Sequence, residues 1–179
     1  KGFNKETVAP SAVPFSPMLA TTFGTPRELR ENEILDIIQR FATSAKICEK
    51  AGFEGVQLHG AHGYLISQFL SPLTNKRKDQ WGGSIENRMR FLLEIYQAVR
   101  AATSEQFIIS VKLNSADFQR GGITEEEVIT VFKAIDEAGI DLIEISGGTY
   151  EAPAMAGAKA HQRKVSTIAR EAYFLDFAE

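Results

Sequence analysis

Cysteine is almost missing from this chain: Cys48 stands alone among 179 residues. A single thiol excludes an internal disulfide framework and an all-cysteine metal site, and it makes a reducing cytoplasm the default setting. Cys48 falls on the apolar stripe of a predicted helix, where a small buried core residue is expected. No apolar run approaches the ~20 residues that cross a bilayer, and no signal-peptide pattern opens the sequence. With a net charge of -3 there is no basic footprint, so neither nucleic acid nor a membrane is an expected partner. The GxGxxG fingerprint of a dinucleotide fold is absent as well. Methionine does not start the chain, and a helical pattern is still running at Glu179, so both ends read as cut.

What is present is ordinary in bulk, with 44% hydrophobic and 24% charged residues. The length suits one domain with a sizeable core. Histidine is scarce, yet two of the three fall in one stretch, Gly52 to Tyr64, GFEGVQLHGAHGY. Phe53, Val56 and Leu58 read as a short buried strand. His59, His62 and Tyr64 follow at once, spaced by Gly60, Ala61 and Gly63. Two imidazoles and a phenol at a strand end, with glycines permitting close backbone approach, have the make-up of an active-site rim.

Around this stretch the chain alternates helices and strands. Residues 1–26 hold four of the six prolines and no period, and predict an extended surface segment without elements. Ile34, Ile38, Phe41, Ala45 and Cys48 recur at steps of three and four, predicting a helix over 31–51 that Gly52 caps. A short helix is expected after Tyr64. Residues 71–83 read as a polar loop, with Lys76, Arg77 and Lys78 as a solvated basic face and Trp81 as an aromatic plug. Ser84 suits an N-cap for a helix to about residue 101, with Ile85, Met89, Leu92, Leu93, Tyr96 and Val99 on its buried side. Arg88 on this helix is expected to pair with a loop carboxylate such as Asp79. Phe107 to Leu113 is the next strand, in which Lys112 is the unusual residue. Thr124 with Glu127 fits a capping box for a helix to residue 138. Asp141 to Ile145 predicts a third strand leading into Ser146. Residues 151–165 read as loop and 167–179 as an unfinished helix; Tyr150 and Glu151 read as surface loop, with a place lining the mouth as the alternative.

A repeat underlies this order. Lys50-Ala51-Gly52-Phe53 through Leu58-His59-Gly60 matches Glu137-Ala138-Gly139-Ile140 through Ile145-Ser146-Gly147 in register. Helix, Ala-Gly turn, strand and glycine, repeated, predict a parallel sheet of crossover units, either doubly wound or a (β/α)8 barrel. His59, Lys112 and Ser146 all fall at or near strand C-terminal ends, where barrels place their chemistry. The α/β class expected is therefore the (β/α)8 TIM barrel.

The run HGAHGYLISQFLSPLTNKRKDQWGGSIENRMRFLLEI resembles the old yellow enzyme family of FMN-dependent NAD(P)H:flavin oxidoreductases. The resemblance rests on the His-x-x-His-x-Tyr cluster, Gln68 to Pro72, Asn75, Arg77, Asp79 and Gly82 to Arg88, and continues through Val111-Lys112-Leu113 and Ile145 to Gly148. It implies a barrel of which residues 1–179 form only a middle part, about three parallel strands with their helices. Within that partial domain, residues 1–30 are expected to be an extended N-terminal segment and 31–179 the helix/strand repeats.

The same resemblance implies FMN as cofactor and NADH or NADPH as reductant. Hydride would pass from flavin N5 to the β-carbon of an α,β-unsaturated carbonyl. His59 and His62 would hydrogen-bond the carbonyl oxygen and stabilise enolate charge. Tyr64 matches the residue that gives a proton to the α-carbon. Lys112 stands where many members place an arginine against the flavin's pyrimidine edge, keeping the charge but losing the fork. The substrate is a small electrophilic alkene, and the choice among enones, nitroalkenes, nitrate esters and dienoyl thioesters follows pocket shape. Homo-oligomerisation stays open. Two other readings remain. One is a truncated, non-catalytic barrel fragment or interaction module. The other is a metal-dependent barrel hydrolase, which needs ligands beyond His59 and His62, while the third histidine, His161, reads as a loop residue.

Overall fold

The computed structural model describes residues 6–20, 23–117 and 119–150. The expectations for 151–165, His161 and 167–179 lie outside them. The first elements are strand β1 (Val8–Ala9), helix α1 (Pro17–Ala20) and strand β2 (Arg27–Glu28). Helix α2 (Glu31–Lys50) leads to β3 (Gly55–Gly60), and α3 (Leu65–Leu70) and α4 (Ile85–Ala102) lead to β4 (Ile108–Asn114). Helix α5 (Glu125–Glu137) and β5 (Leu142–Ser146) complete the order. Strands β3, β4 and β5 form one parallel sheet in that spatial order. Among the described residues no helix is long and apolar enough to cross a membrane.

The two Ala-Gly repeats are two copies of one helix stop. After α2, Gly52 takes φ 90°, and the N–H groups of Gly52 and Phe53 donate to Glu49 O and Cys48 O at 3.0 and 3.1 Å. After α5, Gly139 takes φ 95°, and those of Gly139 and Ile140 donate to Asp136 O and Ile135 O at 2.8 and 3.2 Å. Both are Schellman turns, in which the left-handed glycine folds the chain back over the carbonyls the helix leaves unpaired. Each turn aims the chain into a buried strand. The start of α5 is the expected capping box: Thr124 Oγ1 accepts from Glu127 N–H, and the Glu127 carboxylate accepts from Thr124 N–H.

Sheet residues alternate between two unlike faces. Leu58, Ile109, Val111 and Leu113 are buried in one core with Ile34 and Ile38 of α2, Phe91, Leu92 and Ile95 of α4, and Val131 and Ile135 of α5. Each such side chain, fully buried, contributes roughly 1.5–3 kcal/mol. The other face carries Gln57 and His59, then Ser110, Lys112 and Asn114, then Glu144 and Ser146. Among the described residues the helices pack on one face. A doubly wound sheet buries both, so a polar second face favours the barrel, whose strand ends carry its chemistry.

Five expectations are corrected. Residues 1–26 are not free of elements: Val8 pairs with Arg27 and Ala9 with Glu28, and α1 lies between. Phe53 is 63% exposed and sits ahead of β3 rather than in it, because the glycine turn throws it outward. Cys48 is only half-buried, on the margin of the α2 stripe. Arg77 is not part of a solvated cluster. It is buried, donating from Nη1 to Pro10 O and Leu29 O at 3.0 and 2.7 Å and pairing through Nη2 with Asp79 at 2.6 Å. It thereby stitches the 71–83 loop to the β1–β2 segment, which has no core of its own. Arg88, with Asp79 taken, pairs instead with Glu127 of α5 and donates to Gly83 O and Leu70 O. Trp81 is the expected plug at 1% exposure, and its Nε1 has no acceptor among the described residues.

Candidate active site

Strand register assembles the site. His59 lies opposite Lys112, and Lys112 opposite Glu144, so one row across the sheet runs imidazole, ammonium, carboxylate. Lys112 Nζ pairs with Glu144 Oε1 at 2.8 Å, and Gln57 Nε2 donates to the other carboxylate oxygen at 2.9 Å. The Lys112 and Gln57 hydrogen bonds hold the Glu144 carboxyl below its usual range. The next residues along the strands, Asn114 and Ser146, are also register partners.

Beyond β3 the chain turns sharply. His62 has φ 65° and Gly63 φ 82°, both left-handed. A Cβ at Gly63 would meet the Tyr150 ring at 2.9 Å, so glycine is needed there for space as well as for conformation. The turn brings three rings together: His59 lies 5.1 Å from His62 and 5.0 Å from Tyr64 between ring centroids. Nε2 of His62 and Oγ of Ser146 share a hydrogen bond of 2.7 Å. Tyr64, in the N-cap position of α3, is 55% exposed at the lip.

From Tyr64 a line of rings continues outward, to Tyr150 at 5.9 Å and from Tyr150 to Phe15 at 6.0 Å. These walls, with Phe23, Leu65 and Gln68, bound a cleft of about 500 Å³. Its volume is that of a small-molecule site, and its walls are largely apolar.

Both imidazoles are held below the usual histidine range. Partial desolvation is the first cause in each, although His59 is exposed and His62 half-buried; Lys112 follows for His59, and His59 then Lys112 for His62, with Glu144 opposing. At neutral pH both rings are therefore uncharged, each with one N–H to donate. In the unfolded chain a histidine takes up its proton near pH ~6.5, while the folded sites resist. Their contribution to stability is complete above that value and is lost as pH falls toward the depressed folded pKa values. Thermal midpoints followed from about pH 8 down to about pH 5 should therefore decline. His59→Gln with His62→Gln should flatten that slope, and an undiminished slope would assign it to other groups.

The structure thus brings His59, His62, Tyr64 and Lys112 to one mouth. Sequence reasoning missed Gln57, Asn114 and Glu144 on the same face; Tyr150, expected on the surface with the mouth as the alternative, is 38% exposed and lines the cleft beside Tyr64. Period-two alternation of polar residues in β3, β4 and β5 is the signal that would have found the first three. Among the described residues no three His, Cys, Asp or Glu side chains are grouped as a metal ion needs.

Comparison with known proteins agrees with this fold. A 2-naphthoyl-CoA reductase solved with 2-naphthoyl-CoA superposes with a TM-score of 0.79 at 39% identity, over 83% of this chain and 22% of that one. The NADH-dependent flavin oxidoreductase nadA of Aspergillus parasiticus is 41% identical over 175 residues, 97% of this chain and 39% of nadA. The NADH oxidase of Thermoanaerobacter brockii is 48% identical over 146 residues, 82% of this chain and 22% of the oxidase. The chain spans less than half the length of these curated relatives, and its three strands with their helices are part of a (β/α)8 barrel. The model of the NADH:flavin oxidoreductase / NADH oxidase family matches residues 4–172, and to that family the chain belongs.

Proposed function

We propose that the chain carries the substrate-activating half of an FMN-dependent ene-reductase active site, working in the cytoplasm on a small α,β-unsaturated carbonyl. The observation that carries this reading is the cluster of His59, His62 and Tyr64, rings about 5 Å apart, beside the Lys112 row. The donor set fits a flavin. An ammonium has three N–H donors and Glu144 takes one, so Lys112 keeps others for the acceptors of a pyrimidine edge. Bound FMN would supply hydride, taken from NADH or NADPH, to the β-carbon of the alkene.

The chain's own residues do the rest. Uncharged His59 and His62 each offer an N–H to one carbonyl oxygen, and these bonds strengthen as negative charge gathers there. Ser146 Oγ and the left-handed turn fix the His62 ring before substrate arrives, so little reorganisation is needed. Tyr64, at the lip, gives its hydroxyl proton to the α-carbon. The aromatic cleft holds the apolar body of the substrate and excludes water.

The test is a titration of the intact, FMN-loaded enzyme with 4-hydroxybenzaldehyde, whose phenolate mimics the enolate. One visible chromophore per chain is expected, and tight binding that His59→Ala and His62→Ala weaken by at least tenfold each, about 1.4 kcal/mol. Unchanged affinity in both variants removes the histidines from the site. A colourless intact enzyme would favour the non-catalytic module.

A further inference from the structure

We infer that Asn114 is a positioning residue for this chemistry: a clamp on the central strand that fixes where the His62 imidazole points. The inference rests on reading His62 as a donor to the carbonyl oxygen. Asn114 closes β4 on the same face as Lys112 and is 6% exposed. Its Nδ2 donates to Gly148 O at 2.8 Å, which settles the orientation of the amide. Oδ1 is therefore turned to the His62 N–H, 3.3 Å away. One side chain from the middle strand thus ties the exits of both neighbouring strands together.

His62 needs such a hold. At φ 65° a residue with a Cβ occupies backbone space that is normally unfavourable, and it stays there only when its surroundings insist. Asn114 captures its N–H, while its carbonyl accepts from Tyr150 N–H at 3.2 Å. The amide itself is backed by Asp117, 3% exposed, whose Oδ1 lies 3.5 Å from Nδ2. The other oxygen of Asp117 accepts from Ser71 Oγ at 2.6 Å and from Ile123 N–H at 3.2 Å. The network runs from the loops into the His62 backbone without touching substrate. Its output is the 2.7 Å contact between His62 Nε2 and Ser146 Oγ. Released from Asn114, His62 relaxes toward negative φ and the ring leaves that contact.

The experiment compares Asn114→Ala with His62→Ala in the intact FMN-loaded enzyme, using 4-hydroxybenzaldehyde as the probe. Asn114→Ala is expected to raise its Kd about tenfold, the worth of a lost buried hydrogen bond. The pH profile of binding should also shift, since the displaced imidazole leaves its half-buried place beside His59 and Ser146. A merely structural Asn114 would lower the melting temperature and leave Kd and profile unmoved, which overturns the inference. If His62→Ala leaves Kd unchanged, the reading of the site itself fails and the clamp with it. If Asn114→Ala yields no folded enzyme, Asn114→Ser decides. Its hydroxyl keeps the site polar without a second charge beside Asp117, and it is too short to hold both the His62 N–H and Gly148 O. A Kd raised about threefold with a shifted profile supports the clamp, and an unchanged Kd and profile overturns it.

Discussion

Tyr64→Phe in the intact enzyme is expected to slow alkene reduction on the order of 10²–10⁴-fold, the usual worth of a positioned general acid. The substitution is surgical. It removes one oxygen and keeps the ring, so the packing against His59 at 5.0 Å and Tyr150 at 5.9 Å survives. Tyr64 is more than half exposed, so folding should not suffer. Reduction of the enzyme by NADH or NADPH needs no proton from the phenol and should be unaffected. Rapid-mixing measurement of the two half-reactions separates these effects. Equal losses in both would remove Tyr64 as proton donor and leave it as a wall of the cleft.

Arg88→Met carries the largest expected loss of stability, about 3 kcal/mol, because it strips a buried cation from a half-buried carboxylate and two backbone carbonyls. Arg88 is 3% exposed and joins three elements: the end of α3 through Leu70 O, the 71–83 loop through Gly83 O, and α5 through Glu127. Methionine fills much of the volume, so the loss reflects Glu127 and two carbonyls left without their donor rather than a cavity. Glu127 also closes the capping box with Thr124, and α5 should fray at its start. Urea unfolding of the intact enzyme measures the change. Arg88→Lys should recover only part of it, since an ammonium cannot reach three acceptors in a planar fork. A loss below about 1 kcal/mol would mean that water replaces the guanidinium at little cost.

Much of this architecture was legible in residues 31–150. Helix faces such as Ile34, Ile38 and Ala45 announce themselves by period, and Gly52 and Gly139 mark stops that no β-carbon-bearing residue fills as easily. Thr124 and Glu127 spell their capping box directly. Arg77 and Arg88 were harder. A charged residue in a polar loop or on a helix reads as solvated until the acceptors around it are known, and those come from Pro10, Leu29, Leu70 and Glu127, distant in sequence. The strands of the N-terminal segment were illegible for a related reason. Two-residue strands have no period, and Val8 meets Arg27 where Arg77 and the Arg27–Glu33 pair fasten the segment to the body of the protein.

From residue 31 onward, local signals in the chain specify the helices, their alternation with strands, the parallel sheet and the chemical types gathered at the end of β3, because periodicity, capping and glycine stops are local. Tertiary structure decided which of those groups meet. Register set Lys112 between His59 and Glu144. A left-handed His62 put its ring against Ser146, 84 residues away. Tyr150, for which the sequence left surface and mouth both open, is an exposed wall beside Tyr64 because the β5 exit folds back over Gly63. Distances of this kind depend on how strands align and loops cross, and no local pattern in the chain encodes them.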